Sequence, residues 1–150
     1  MPRKTKTWQE KLADAKAKDD LPKTFCCDKL GQHMLVPSAA EVEQEMRRVR
    51  KGKVVTIKQI TQKLAKRYGV GMACPMTTGI FAWIIANAAD ERERAGAKRT
   101  VPWWRTVKTG GELNSNYPGG VRAQRARLQA EGLRVVPKGK AYVVEAAASR

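Results

Sequence analysis

Apolar residues recur at helical spacing through the middle of the chain, each time behind a helix-starting signal. Ser38 and Glu41 form a capping box, and we expect the helix that follows to end at Gly52. Its predicted buried face holds Val42, Met46 and Val49.

A second helix is predicted behind Thr56, where Gln59 completes another capping box. Its end is expected at Gly69. Its buried stripe comprises Ile57, Ile60 and Leu64. Its basic residues lie largely off that stripe, facing solvent or phosphate, and these are Lys58, Lys63, Lys66 and Arg67.

A third helix is predicted after Pro75, with Thr77 or Thr78 as its cap. It is strongly apolar, and residues 90–99 either continue it or form a charged loop. Two capped helices joined by a short turn favour a helix-turn-helix, whose second helix presents its first residues to the DNA groove. Those residues here are Met76, Thr77, Thr78 and Gly79.

The last third of the chain predicts one more helix over residues 119–131, which Gly132 ends. Short strands are predicted over 133–136 and 141–144, around a basic turn. A helix-turn-helix followed by a hairpin is a winged arrangement. The predicted fold class is therefore mainly α with a small β hairpin, a winged helix-turn-helix-like DNA-binding domain.

The first 37 residues are predicted to form a basic arm and connector, and residues 38–150 the winged domain. Trp8, Leu12 and Ala15 stand at helical spacing, which predicts a short helix. Its charges are mixed, so a loosely docked arm and plain disorder both stay open. Residues 25–37 are interpreted as a connector.

Charge changes this picture from a helical domain to a domain with a polyanionic partner. The formal net charge is +16, which favours nucleic acid, although a ribosomal or acidic protein partner gives the same number. Residues 46–89 contain no Asp or Glu and nine Lys or Arg. Such a one-signed stretch indicates an electrostatic footprint, with a solubility patch as the alternative.

The cysteines indicate a protein with reduced thiols. Cys26 and Cys27 are adjacent, and together with His33 and Cys74 they match no zinc signature, so no metal or cofactor is predicted. We find no signal peptide, and the longest apolar run, 80–89, is too short to cross a membrane. We expect a cytoplasmic monomer, associated with the nucleoid if bacterial.

Two adjacent tryptophans, Trp103 and Trp104, follow Pro102 and precede Arg105 in a basic setting. Aromatic faces ringed by positive charge suit a nucleobase and its phosphates, whereas a buried core strand is the alternative. The segment from Pro102 to Arg105 resembles the Pro-Cys-His-Arg motif of the methylated-DNA–protein-cysteine methyltransferases. It is closer still to the variant of alkyltransferase-like proteins, in which tryptophan replaces the reactive cysteine.

Four further segments resemble motifs of that family in the same order. They are Gly52–Thr56 (Gly-x-Val-x-Thr), Thr78-Gly79 (Val-Gly), Tyr117–Gly120 (Tyr-Ser-Gly-Gly) and Leu128–Gly132 (Leu-x-x-Glu-Gly). The resemblance covers about residues 38 to 144. It implies a domain that binds duplex DNA and flips a nucleotide out of the stack.

The resemblance also implies that the family's chemistry is absent. Trp103 stands where the cysteine is expected and Trp104 where the histidine is, which leaves Glu131 without its partner. We therefore predict a non-enzymatic protein that binds DNA, holds flipped O6-alkylguanine and flags it for other repair proteins. The alternatives are a methyltransferase that uses Cys74 as acceptor, and a general DNA-binding or transcriptional module.

The residues implied for these roles fall into two sets. The base contact is assigned to Trp103 with Tyr117 as its partner, and Trp104 is assigned to the core or to a second stacking surface. The full predicted base pocket is Pro102, Trp103, Trp104, Arg105, Tyr117, Gly119, Gly120 and Glu131. The predicted DNA contacts are Thr56, Ile57, Lys58, Met76, Thr77, Thr78, Gly79, Arg122 and Arg125.

Overall fold

The computed structural model describes residues 6–18, 20–27 and 32–145. Its helices are α1 (Trp8–Lys16), α2 (Ala39–Arg47), α3 (Ile57–Tyr68), α4 (Pro75–Arg94) and α5 (Gly120–Ala130), with a 3-10 helix at Trp103–Arg105. Its strands are β1 (Lys23–Cys27), β2 (Gln32–Val36), β3 (Val55–Thr56), β4 (Met72–Ala73), β5 (Thr106–Val107), β6 (Val135–Lys138) and β7 (Ala141–Val144). The fold is mostly helical, as predicted.

Helix α4 is the central element of the packing. Its buried residues include Phe81, Ala82 and Ile85, which pack with Val42 and Met46 of α2 in the main core. A smaller core lies between α5 and the hairpin β6–β7. The Trp103–Arg105 turn lies where the two cores meet, because Trp103 belongs to the first core and Trp104 packs against both.

Both predicted capping boxes are present. The Ser38 hydroxyl accepts a hydrogen bond from the Glu41 amide at the start of α2, and the Thr56 hydroxyl accepts one from the Gln59 amide at the start of α3. The predicted cap of α4 is wrong, since the helix begins earlier, with Pro75 as its first residue and Cys74 as its cap. The Cys74 Sγ accepts from the Thr77 amide at 3.5 Å. Thus the two helices of the predicted helix-turn-helix pack together, joined by residues 69–74.

Several boundaries differ from the sequence-based expectation. Helix α2 ends at Arg47, not at Gly52, and Gly52 instead adopts a left-handed conformation (φ 82°) in the loop that follows. Helix α4 continues through the charged segment as far as Arg94. The hairpin strand β6 begins two residues later than predicted, at Val135.

The predicted connector contains part of a sheet. Strand β2 lies between β1, which is antiparallel to it, and β4, which is parallel to it. Leu35 of β2 is fully buried in the main core. The connector interpretation of residues 25–37 is therefore wrong, because this strand is defined by pairing with residues almost forty positions away. The side chains of Cys26 and Cys27 lie outside the described part.

The N-terminal helix is docked on α4. The Glu91 carboxylate accepts hydrogen bonds from the backbone N–H groups of Trp8 and Gln9, at 3.0 and 3.2 Å. The Trp8 ring packs edge-on against Trp83 at 4.8 Å between centroids. A carboxylate at a helix N-terminus binds the free amides and complements the helix dipole. Of the two arrangements left open for this segment, the structure has the docked one.

Candidate DNA-binding site

The exposed face of α4 carries an apolar stripe. Met76, Ile80 and Trp83 are 74%, 48% and 37% exposed, and their spacing places them on one side of the helix. Thr77 and Gly79 are half-buried beside the stripe, and a Cβ added at Gly79 would meet nothing within 4 Å. Trp83 already packs against Trp8 of α1, so Met76 and Ile80 are the part of this stripe that indicates a surface covered when the protein functions.

Two predicted DNA contacts lie in the interior instead. Thr78 is fully buried and donates its hydroxyl to the Cys74 carbonyl at 2.8 Å, because it lies on the core side of α4. Thr56 is 5% exposed, and its hydroxyl is occupied as the cap of α3. Their prediction as DNA contacts is wrong for this structure. Ile57 is half-buried against the core, which leaves Lys58 as the exposed residue of that motif.

The acid-free basic stretch is partly neutralised in three dimensions. Glu45 of α2 is 3% exposed and forms ion pairs with Arg48, Lys63 and Arg67 at 3.1, 3.1 and 2.6 Å. Glu43 pairs likewise with Arg47. Across the described ranges, the cations of this stretch that form no ion pair are Arg50, Lys51, Lys53, Lys58 and Lys66. The electrostatic footprint is therefore smaller than the sequence implies.

Arg122 and Arg125 differ in their exposure to solvent. Arg122 is exposed on α5. The Arg125 guanidinium lies over the Tyr142 ring at 4.9 Å and is half-buried, so it also packs α5 against the hairpin.

Of the two tryptophans, the buried one is Trp103, which was expected to contact the base. Trp103 is 1% exposed, and its ring packs edge-on against Trp104 and Tyr117, at 5.8 and 5.9 Å between centroids. Tyr117 is 3% exposed, and burial raises the pKa of its hydroxyl. Trp104, assigned from sequence to the core or to a second stacking surface, is half-buried and lines two surface cavities. The 3-10 turn at Trp103–Arg105 points the two neighbouring rings in different directions.

Glu131 has partners that the sequence comparison missed. Its Oε2 accepts from Trp104 Nε1 at 3.0 Å, so the second tryptophan occupies the hydrogen-bonding position implied for the histidine. Arg105 donates to both carboxylate oxygens and to the Val49 carbonyl, and the Gly52 amide donates to Oε1. The expectation that Glu131 lacks a partner is therefore wrong. The carboxylate joins α5 to the Pro-Trp-Trp-Arg segment and to the loop after α2.

The loop of the predicted base pocket is held by neighbouring side chains. Trp83 Nε1 donates to the Asn116 carbonyl at 3.1 Å, and the Asn114 amide donates to Gln124 Oε1 at 2.8 Å. Gly119 and Gly120 have φ values of 75° and 71°, and a Cβ on Gly119 would lie 2.5 Å from that of Ala123. Glycine is therefore required where the loop enters α5.

Gln124 is a site residue that the sequence analysis did not identify. It is fully buried, and its amide nitrogen donates to the carbonyls of Trp104 and Thr106, both at 3.1 Å. Gln124 thereby connects the tryptophan segment to the Asn114 loop. Nothing in the sequence distinguishes it from the exposed polar residues of α5. Trp83 was also missed, although its spacing from Met76 and Ile80 marked the stripe.

Acid should destabilise the fold through three buried glutamates. Burial favours the neutral form, but the ion pairs of Glu43, Glu45 and Glu131 outweigh it and hold each pKa below its usual value. A folded-state pKa below the unfolded one adds stability above the unfolded value, and this is lost as pH falls through the folded value. We expect the melting temperature to fall between about pH 6 and about pH 3. A constant melting temperature over that range would contradict the assignment.

The fold and the exposed face of α4 define a helical DNA-binding domain of the helix-turn-helix class. Residues 37–133 match the sequence model described as 6-O-methylguanine DNA methyltransferase, DNA binding domain. The chain belongs to this family, which confirms the membership inferred from the five ordered motifs. No helix within the described ranges is both long enough and apolar enough to span a bilayer.

Two solved structures from S. pombe are similar to this chain. One is Atl1 in complex with damaged DNA containing O6-carboxymethylguanine, at 19% identity and a TM-score of 0.48, over 71% of this chain and 87% of that chain. The other is ATL in complex with DNA, at 19% identity and a TM-score of 0.47, over 71% and 85%. Comparison with curated protein sequences gives no significant match.

Proposed function

We propose that this protein binds duplex DNA without catalysing alkyl transfer, and that it holds a flipped O6-alkylguanine as alkyltransferase-like proteins do. One observation carries the proposal: Trp104 is hydrogen-bonded to Glu131, which fits the motif resemblance that aligns Trp103 and Trp104 with the cysteine and histidine of the family. An indole cannot act as the thiolate acceptor of this chemistry. What the family fold retains is its binding surface.

In this proposal the apolar stripe of α4 contacts DNA. Apolar side chains such as methionine and isoleucine can wedge between base steps in the minor groove and unstack them. Met76 is the most exposed large apolar residue at the start of α4, which suits it to that role. Lys58 and Arg122 are exposed cations that supply phosphate contacts.

Base holding requires the loop before α5 to move. Trp103 and Tyr117 contact each other edge-on and are almost fully buried, so neither offers a free face to a base. In our proposal the loop at residues 114–120 shifts, the Trp83–Asn116 hydrogen bond breaks, and the base enters between the rings. Stacking on an aromatic is worth about 1–3 kcal/mol, which is enough to offset the loss of one such hydrogen bond.

We also propose a role for the hairpin, an assembly state and a role in repair. The β6–β7 hairpin acts as the wing, the protein works as a cytoplasmic monomer, and the bound lesion is presented to other repair proteins. The hairpin and the family membership support this part of the proposal.

The decisive measurement is fluorescence anisotropy with matched duplexes that differ only in one guanine or O6-methylguanine. We expect the lesion duplex to bind at least about fivefold more tightly, because a damaged base costs less to unpair and flip than guanine does. Equal affinities would contradict lesion recognition and leave general DNA binding as the function. An affinity that hardly changes with salt would contradict DNA binding itself, because phosphate contacts release counterions.

The alternative acceptor, Cys74, is tested separately by intact-mass measurement after incubation with the methylated duplex. Its Sγ accepts hydrogen bonds from the Thr77 amide and hydroxyl at the start of α4, outside the Pro102–Arg105 segment. We expect an unchanged mass. A gain of one methyl group would overturn the non-enzymatic assignment.

A further inference from the structure

Trp104 and Arg127 together form a wall between two surface cavities that the DNA-binding proposal does not use. One cavity, of about 510 Å³, also contacts Lys98 and Arg99, and the other, of about 460 Å³, contacts Lys51. Volumes of this size are typical of small-ligand sites. Both residues are half-buried and line both cavities, and Arg105 also lies over the Trp104 ring, at 5.5 Å from its centroid.

The wall is a preformed stack. The Arg127 guanidinium lies over the Trp104 ring at 4.6 Å and is held from behind by Glu93, at 2.6 Å. The Trp104 ring is fixed in turn by its hydrogen bond to Glu131. A planar group that stacks here would find its partner already ordered, so little side-chain entropy is lost on binding.

The larger cavity is strongly basic. Half of its ten lining residues are Lys or Arg, and Glu93 is its one acidic residue. Three of the cations are tied to carboxylates, namely Arg47, Arg105 and Arg127. Lys98 and Arg99 are exposed and form no ion pair with any residue that the structure describes, so both are available to an anion.

This wall lies far from the stripe of α4 that meets the duplex. Trp83, the last residue of the stripe, lies ten residues before Glu93, so about 15 Å of helix separates them at 1.5 Å per residue. That exceeds the reach of any side chain.

We propose that the Trp104–Arg127 wall binds an unpaired stretch of single-stranded DNA, with one base stacked on the wall and adjacent phosphates on Lys98 and Arg99. An arginine–tryptophan stack beside cations without ion pairs supplies the cation–π, stacking and phosphate contacts that single-strand binding uses. Paired bases cannot reach such a face, which excludes an intact duplex. An acidic peptide would satisfy the cations but leave the stack unused.

The test is the binding of a fluorescein-labelled oligo-dT to the full-length protein at low salt, followed by anisotropy. We expect Lys98→Glu/Arg99→Glu to weaken binding at least about tenfold and to lower the slope of log affinity against log salt by about one to two. Trp104→Leu should weaken it about 5- to 150-fold through loss of stacking. Thermal melts of each variant establish that it is folded.

Matched controls separate this site from general charge effects and from the duplex surface. Lys18→Glu/Lys23→Glu makes the same charge change at exposed positions outside both cavities and should leave oligo-dT binding within about threefold. Met76→Glu should weaken plain duplex binding and spare oligo-dT. Equal losses in the two double variants would overturn the proposal. Displacement of oligo-dT by poly-glutamate, with Trp104→Leu without effect, would assign the cavity to an acidic protein instead.

Discussion

Replacing Trp103 with alanine is expected to lower the free energy of unfolding by about 3–5 kcal/mol, as for other buried tryptophans. Trp103 is 1% exposed and connects Tyr117, Trp104 and the main core, so its removal leaves a cavity that three elements would have to close. Small domains have only about 5–15 kcal/mol in total. Urea unfolding monitored by circular dichroism measures the difference.

Trp103→Ala is a poor test of base stacking, because it removes a side chain of the main core as well as the ring that would stack on the base. Trp103→Phe keeps an aromatic ring and most of the side-chain volume. It should lower the free energy of unfolding clearly less than Trp103→Ala does. If Trp103→Ala lowers the free energy of unfolding by less than about 1 kcal/mol, neighbouring residues must fill the cavity, and the buried Trp103 ring adds little to stability.

Replacing Glu131 with alanine is expected to cost about 3–5 kcal/mol, the range measured when one partner of a buried ion pair is removed. The side chains of Glu131 and Arg105 are 8% and 14% exposed. Without the carboxylate, the Arg105 charge loses its main partner, and the Trp104 and Gly52 N–H groups lose their acceptor. Urea unfolding again gives the difference.

A surface glutamate supplies the matched control for this change. Glu145 is 58% exposed and pairs with Arg134 at 3.6 Å, so Glu145→Ala should change stability by no more than about 0.5 kcal/mol. Glu131→Gln tests charge separately from shape, and its melting temperature should depend less on pH than that of the unmodified protein. Similar losses for Glu131→Ala and Glu145→Ala would show that the buried cluster adds little.

The helices were largely predictable from local signals. Ser38 and Thr56 cap α2 and α3 through contacts three residues apart, which a sequence displays directly. The sheet of β1, β2 and β4 was not, since its parallel pair joins Met34 to Met72 and has no local pattern. Cys74 was passed over as a cap because thiols are uncommon there, although Pro75 marked the first residue of α4.

The candidate site was predictable in its chain segments but not in the direction of its side chains. The resemblance located the Pro102–Arg105 segment and the Tyr117–Gly120 loop, and the structure brings both to the junction of the two cores. The 3-10 turn determines which tryptophan is buried. The partner of Glu131 is Trp104, 27 positions away, and no local pattern shows that hydrogen bond. Thr78 failed as a DNA contact for the same reason, because it faces the inside of α4.

The docking of α1 on α4 determines where the chain can be truncated without losing part of the fold. The family match begins at residue 37, which invites expression of a fragment that starts there. Such a fragment would lose β2 from beside β4, with the fully buried Leu35, and would strip Trp8 from Trp83. The Glu91 carboxylate would lose its helix partner at the same time. A minimal unit for crystallography or labelling should therefore retain the amino-terminal helix and strand.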